Sequence, residues 1–282
     1  MTMHRFLRQL LLAWFLVVMT SINVFAQAPP GNKEFEPVVG QEGKDVVWVP
    51  TPQALADKML NLAQVTPQDY LIDLGSGDGR IVIAAAKRGA RAHGIEYNPD
   101  MVALSKRNAV REGVADKATF VKADLFESNF SAATVITMFL LPEINMKLRP
   151  AILDLKPGTR VVSNSFDMED WKADQAVAVG KEEGCDSNYC EAFLWIVPAK
   201  VEGRWKLSQG ELSIKQTYQM ISGVYTSGSS HTSIADGRLS GDQISFRIGD
   251  ALYAGRVTGA SMEGIVASGN GTAKWSARRA AN

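Results

Sequence analysis

Between Tyr70 and Val197, short apolar runs alternate with stretches whose apolar residues recur every three or four positions. The runs Tyr70 to Leu74, Ala92 to Ile95, Thr119 to Lys122, Thr134 to Leu140, Arg160 to Asn164 and Phe193 to Val197 predict strands, with a weaker strand at Gln175 to Val179. Arg80 to Arg88, Pro99 to Glu112 and Glu143 to Leu155 predict the helices between them, and Thr51-Pro52 opens a short amphipathic helix over Gln53 to Gln64. This is the rhythm of βαβ units around a parallel sheet. A hairpin between the last two strands predicts an α/β, Rossmann-like seven-stranded sheet rather than a fold that continues with parallel crossovers.

After Pro198 the helical period vanishes. Trp205 to Leu207, Ile214 to Met220, Gly223 to Tyr225, Gln243 to Ile248, Leu252 to Val257, Ile265 to Ala267 and Lys274 to Ser276 alternate across glycine-rich turns, which predicts a small all-β C-terminal domain, a meander or barrel, over 200–282. At the other end, His4, Arg5 and Arg8 precede the apolar run Leu10 to Met19, with Ala26 at a cleavage-like site, so 1–26 reads as a bacterial-type signal peptide or an uncleaved membrane anchor. Residues 27–45 lack periodicity and read as a linker or extended arm, leaving 46–199 as the α/β domain. The N-terminal reading makes the protein exported (periplasmic) or anchored in the inner membrane.

Lysine plus arginine equals aspartate plus glutamate, so no net field recruits nucleic acid. Three scattered histidines and two cysteines give no metal spacing. Cys185 and Cys190 flank a tight turn and can pair as a disulfide in an oxidising compartment or remain free thiols in the cytosol.

The strongest chemical signal is Asp73-Leu74-Gly75-Ser76-Gly77-Asp78-Gly79-Arg80, placed where a strand ends and a helix begins. Glycines there let the backbone turn sharply and approach a ligand, and the helix N-terminus adds oriented N–H donors. A carboxylate at Asp73 can hold an ammonium group, for which a pyrophosphate has no use. A nicotinamide fingerprint would place its third glycine at position 80, which is arginine. The motif therefore points to S-adenosylmethionine, with Asp73, Gly75, Ser76, Gly77 and Gly79 in its cradle. Glu96, at the tip of the second strand, can accept both ribose hydroxyl protons. Asp124, at the tip of the third, can take the adenine amine or simply cap the next turn. Past the fourth strand, Phe139 and Glu143 are the candidates for the acceptor side: Phe139 can stack on a cation or lie in the core, and Glu143 can orient an amine or merely start a helix.

Val49-Pro50-Thr51-Pro52, the Asp73 to Ala86 motif, Gly94-Ile95-Glu96-Tyr97-Asn98-Pro99, Phe139 to Pro142, Leu148-Arg149-Pro150 and Lys156 to Ser163 together resemble one group. It comprises the seven-β-strand methyltransferases that modify lysines of the ATP synthase c subunit and the adenine nucleotide translocase. The resemblance covers roughly 47–198 and implies N-methylation of a lysine in a membrane-associated protein, with Asp73, Gly75, Gly77, Glu96 and Asp124 at the S-adenosylmethionine site. It also implies that the arm around Trp48 to Pro52 helps close the pocket. Two other readings stay open: a small-molecule N- or O-methyltransferase, and a non-catalytic exported binding protein with a relict Rossmann unit.

Overall fold

The computed structural model describes residues 34–269 and 271–280; the expected signal or anchor segment, 1–26, lies outside the described residues. Among the described residues no helix is long and apolar enough to cross a membrane.

Seven strands form the first sheet: β1 (Tyr70–Leu74), β2 (Arg91–Glu96), β3 (Ala118–Lys122), β4 (Val135–Met138), β5 (Arg160–Asn164), β6 (Gln175–Ala178) and β7 (Glu191–Ile196). Their order is β3-β2-β1-β4-β5-β7-β6. All neighbouring pairs are parallel except those involving β7, which runs antiparallel to β5 and β6 and so makes the expected hairpin. The helices are α1 (Gln53–Leu62), α2 (Arg80–Lys87), α3 (Pro99–Arg111) and α4 (Pro142–Leu153). They cover the sheet, so β1, apart from Tyr70 at its start, is buried throughout, as a central strand between two helical layers must be. β4 ends at Met138, earlier than its apolar run suggests, because the chain must bend through Phe139-Leu140-Leu141 to place Pro142 in the first turn of α4.

The chain then builds eight antiparallel strands: β8 (Gly203–Leu207), β9 (Gly210–Thr217), β10 (Met220–Ser227), β11 (Ser230–Ser240), β12 (Gln243–Ile248), β13 (Ala251–Thr258), β14 (Ser261–Ser268) and β15 (Gly271–Arg279). Pairing of β15 with β8 closes them into a barrel. Trp205, Leu212, Leu239, Phe246 and Trp275 fill it, so its inside is a core rather than a channel. The sequence pattern misses β11. Its buried residues Ile234 and Leu239 stand five positions apart, an odd count, because the pairing register shifts between Ala235 and Arg238 and a bulge flips the alternation.

The described residues from 37 onward form one compact unit. The barrel docks through Arg238, whose guanidinium pairs with buried Asp174 at 2.6 Å, through Tyr218, which stacks on Trp171 and donates to Asp170 at 2.8 Å, and through Gly241 against Gly158. Gly158 precedes β5, at the sheet end opposite the strand tips where the chemistry gathers.

Candidate active site

At the tips of β1, β2 and β4 lies a cavity of about 470 Å³, within the range of small-molecule sites. Asp73 lines it from β1, only 4% exposed. Thr137, its register partner on β4, donates its hydroxyl to the Asp73 Oδ1 at 2.6 Å. Burial pushes this carboxyl up to about 7, helped by the nearby carboxylates of Glu96 and Asp78 and opposed by the Thr137 bond. The pocket therefore holds an acid whose ionised form a cation beside it would favour.

The glycine loop hooks onto β2 through the Gly75 and Ser76 amides, which donate to the Ile95 carbonyl at 2.9 and 3.0 Å. Gly75 and Gly77 carry positive φ of 78° and 53°, which fold the loop back so that their bare backbone faces the cavity. Glu96 then clamps the loop: its Oε2 accepts from the Gly77 amide at 2.9 Å and its Oε1 from the Asn98 amide at 2.8 Å. Each oxygen keeps a second lone pair for a ligand hydroxyl. Ser76 also lines the cavity, and its buried hydroxyl has no partner among the described residues.

Asp124 caps the next turn, one of its two expected roles, and also lines the cavity. Its Oδ1 accepts from the Phe126 amide at 2.9 Å, capping the turn after β3, while its Oδ2 faces the cavity and pairs with Lys44. That hydrogen bond, from Lys44, holds the Asp124 carboxyl below the usual range. Lys44 belongs to the stretch expected to be a linker or extended arm. Its end instead lies across the site: Gln41 to Thr51 line the cavity, a backbone pair joins Gln41 to Trp48, and the Trp48 indole covers Gly77. Arg80 fastens this strap by donating to the Thr51 carbonyl at 2.8 Å while gripping Asp78. An arginine where a nicotinamide fold needs glycine thus has a mechanical reason.

Phe139 lines the cavity and is half-buried. Two of the predicted site residues stand outside it. Gly79 sits behind the loop against Phe120 and Ser105, and Glu143 is exposed on the first turn of α4, where it starts the helix rather than reaching the pocket. Sequence reasoning missed Lys44, Arg80, Thr137, Phe166 and Tyr189. Only Arg80 carried a signal, through its place in the motif.

The family model of the ANTKMT methyltransferase domain matches residues 73–175, the stretch that holds Asp73, Glu96, Asp124 and Phe139. A protein-lysine N-methyltransferase of Saccharolobus islandicus (strain REY15A) is 42% identical over 137 residues, which is 48% of this chain and 85% of that protein. The chain belongs to this methyltransferase family. A solved RNA methyltransferase of Salinibacter ruber, in complex with S-adenosyl-L-homocysteine, shares 47% identity at a TM-score of 0.50, covering 54% of this chain and 96% of that one. The Homo sapiens lysine N-methyltransferase of the ATP synthase c subunit is 40% identical over 111 residues, 39% of this chain and 48% of that protein. The chain thus spans about half the length of that relative.

The protein is an S-adenosylmethionine-dependent methyltransferase. Its cavity suits that cofactor. Six carboxylates line it (Glu42, Asp45, Asp73, Asp78, Glu96 and Asp124) against two cations, Lys44 and Arg80, which are already paired. Such walls favour a cationic sulfonium and ammonium. Among the described residues none beyond Tyr189 lines the cavity, so the C-terminal barrel contributes nothing to its wall.

Proposed function

We propose that the protein is a protein-lysine N-methyltransferase whose acceptor lies in a membrane-associated protein, with the N-terminal segment keeping the enzyme exported or at the inner membrane. The observation that carries the lysine reading is the identity with the Saccharolobus enzyme, which extends over most of that protein's length. The donor supplies a methyl group already activated on a sulfonium, so the chain's task is to align a nucleophile and exclude water. Asp73 holds the donor's ammonium, the bare backbone of Gly75, Ser76 and Gly77 lets it approach, and Glu96 takes the ribose hydroxyls with its free lone pairs. Phe139 offers a dry wall beside which a lysyl amine, ordinarily near pKa ~10.4, loses its proton and gains a lone pair.

A second reading rests on the Salinibacter protein, an RNA methyltransferase. Six carboxylates around the cavity argue against it, since a phosphate backbone needs basic walls. Incubation with methyl-labelled donor and, separately, a membrane extract or total RNA separates the readings. Label is expected in lysines of a membrane-fraction protein; label in RNA or in small molecules alone would overturn the proposal.

Lys44 gives a test of Asp124. If Asp124 takes the adenine amine, Lys44 competes for the same oxygen, and Lys44→Ala is expected to tighten S-adenosylhomocysteine binding about threefold by calorimetry. An unchanged Kd would leave Asp124 as a turn cap alone.

A further inference from the structure

Three aromatic rings from three distant segments meet at one wall of the cavity: Phe139 after β4, Phe166 after β5 and Tyr189 before β7. Their centroids form a nearly even triangle, with Phe139 to Phe166 at 6.1 Å, Phe139 to Tyr189 at 5.2 Å and Phe166 to Tyr189 at 6.1 Å. All three are half-buried, so each keeps surface open to the cavity, unlike core aromatics such as Trp171 and Trp195. Among the described residues no cation occupies them: the lining bases Lys44 and Arg80 are engaged at Asp124 and Asp78.

The fold holds each ring on purpose-built backbone. Phe166 is turned inward by Ser165, whose φ of 59° is unusual for a non-glycine residue, and the turn is tied by the Ser165 amide to the Glu191 carbonyl at 2.9 Å. Buried Asn145, from α4, adds donated bonds to the Phe166 and Asp167 carbonyls at 3.2 Å each. Tyr189 lies inside a six-residue loop closed by the disulfide Cys185–Cys190, with Cys185 buried and Cys190 leading straight into β7. A short loop pinned at both ends leaves its penultimate residue little freedom.

We propose that Phe139, Phe166 and Tyr189 form a cage for the acceptor amine as it becomes cationic, with Tyr189 as the specificity-determining wall and the Cys185–Cys190 bridge as its tether. This rests on the reading that the acceptor is a lysyl amine. The neutral nitrogen's lone pair forms the new N–C bond while the C–S pair returns to sulfur, leaving a neutral thioether and a positively charged nitrogen, which then sheds a proton to water if it still carries one. A charge above the triangle lies within about 6 Å of every ring, the range in which aromatic faces attract cations. The rings thus favour the transition state and methylated product over the neutral ground state.

The test titrates the full chain, saturated with S-adenosylhomocysteine, with trimethyllysine amide and with its neutral carbon isostere, in which the quaternary nitrogen is replaced by carbon. The parent is expected to prefer the cation about fivefold. Tyr189→Phe is expected to keep that preference and Tyr189→Leu to lose most of it, with S-adenosylhomocysteine affinity unchanged in both as evidence of a folded site. Dithiothreitol passes two electrons and two protons to the bridge, giving two thiols and cyclic oxidised reagent, and is expected to lower the preference as Tyr189→Leu does. Equal affinity for the two probes in the parent, or full preference in Tyr189→Leu, would overturn the cage; full preference after reduction would overturn the tether. The lysine reading fails separately, through the labelling experiment, and a cage that binds the cation survives that failure.

Discussion

Asp73→Asn is expected to bind S-adenosylmethionine about thirtyfold more weakly than the parent at pH 7.5 while unfolding at a temperature several degrees higher. The two effects come from one charge. Burial, with the nearby carboxylates of Glu96 and Asp78, pushes the Asp73 carboxyl from 3.8 up to about 7. Between those values the folded chain holds a proton that the unfolded chain has released, so stability declines as pH rises from about 4 to about 7 and stays low above it. The decline is a few kcal/mol, and asparagine, which can still accept the Thr137 hydroxyl, removes it. Bound cofactor reverses the balance, because its ammonium makes the ionised carboxylate the favoured form, and a hydrogen bond to a charged partner contributes roughly 1.5–3 kcal/mol. Affinity of the parent should therefore fall about tenfold per unit as pH drops below 7, with up to one proton released on binding near neutrality. Calorimetry in two buffers of different ionisation heat reads both quantities, alongside thermal melts across pH 4–8. A flat pH profile in the parent, or an asparagine variant that binds as the parent does, would remove Asp73 from the ammonium site.

The placement of Asp73 was readable because a motif ties it to a strand tip, and strand tips follow from hydrophobic periodicity. The same logic recovered Glu96 and the reversed β7, whose apolar run and preceding turn residues are local signals. What stayed hidden depends on contacts between distant segments. Phe166 reaches the cavity only because Ser165 adopts a positive φ without being glycine, and Tyr189 only because a disulfide loop delivers it. Lys44 sits in a stretch with no period at all, and its role arises from an acid 80 residues away. In the barrel, β11 escaped notice because its bulge breaks the very alternation that marks a strand. Gly79 and Glu143 erred in the other direction: each belongs to a segment that reaches the site, yet faces away from it.

Gly79→Ala and Gly77→Ala should separate these two kinds of glycine, although the residues stand two apart in one motif. At Gly79 the backbone has φ of +83°, and an added Cβ would lie 2.7 Å from the Phe120 ring and 3.0 Å from the Ser105 Cβ. Both neighbours are buried, so neither can yield. Left-handed strain of roughly 1–2 kcal/mol and overpacking of roughly 1–3 kcal/mol add, and the expected loss is about 3 kcal/mol of stability, or roughly 10 °C in Tm. At Gly77 the φ of +53° is one that alanine adopts with only the left-handed strain, and the new methyl would meet the Trp48 indole at 2.8 Å, on a half-buried strap that can swing away. Melting should shift by only a few degrees, whereas S-adenosylhomocysteine affinity should drop at least tenfold, because the methyl occupies the cavity floor and the strap no longer closes over it. Paired thermal melts and titrations decide the matter. Equal losses of stability in the two variants would mean that both glycines serve packing alone, and that the cofactor is held by the acidic groups without close approach to the loop.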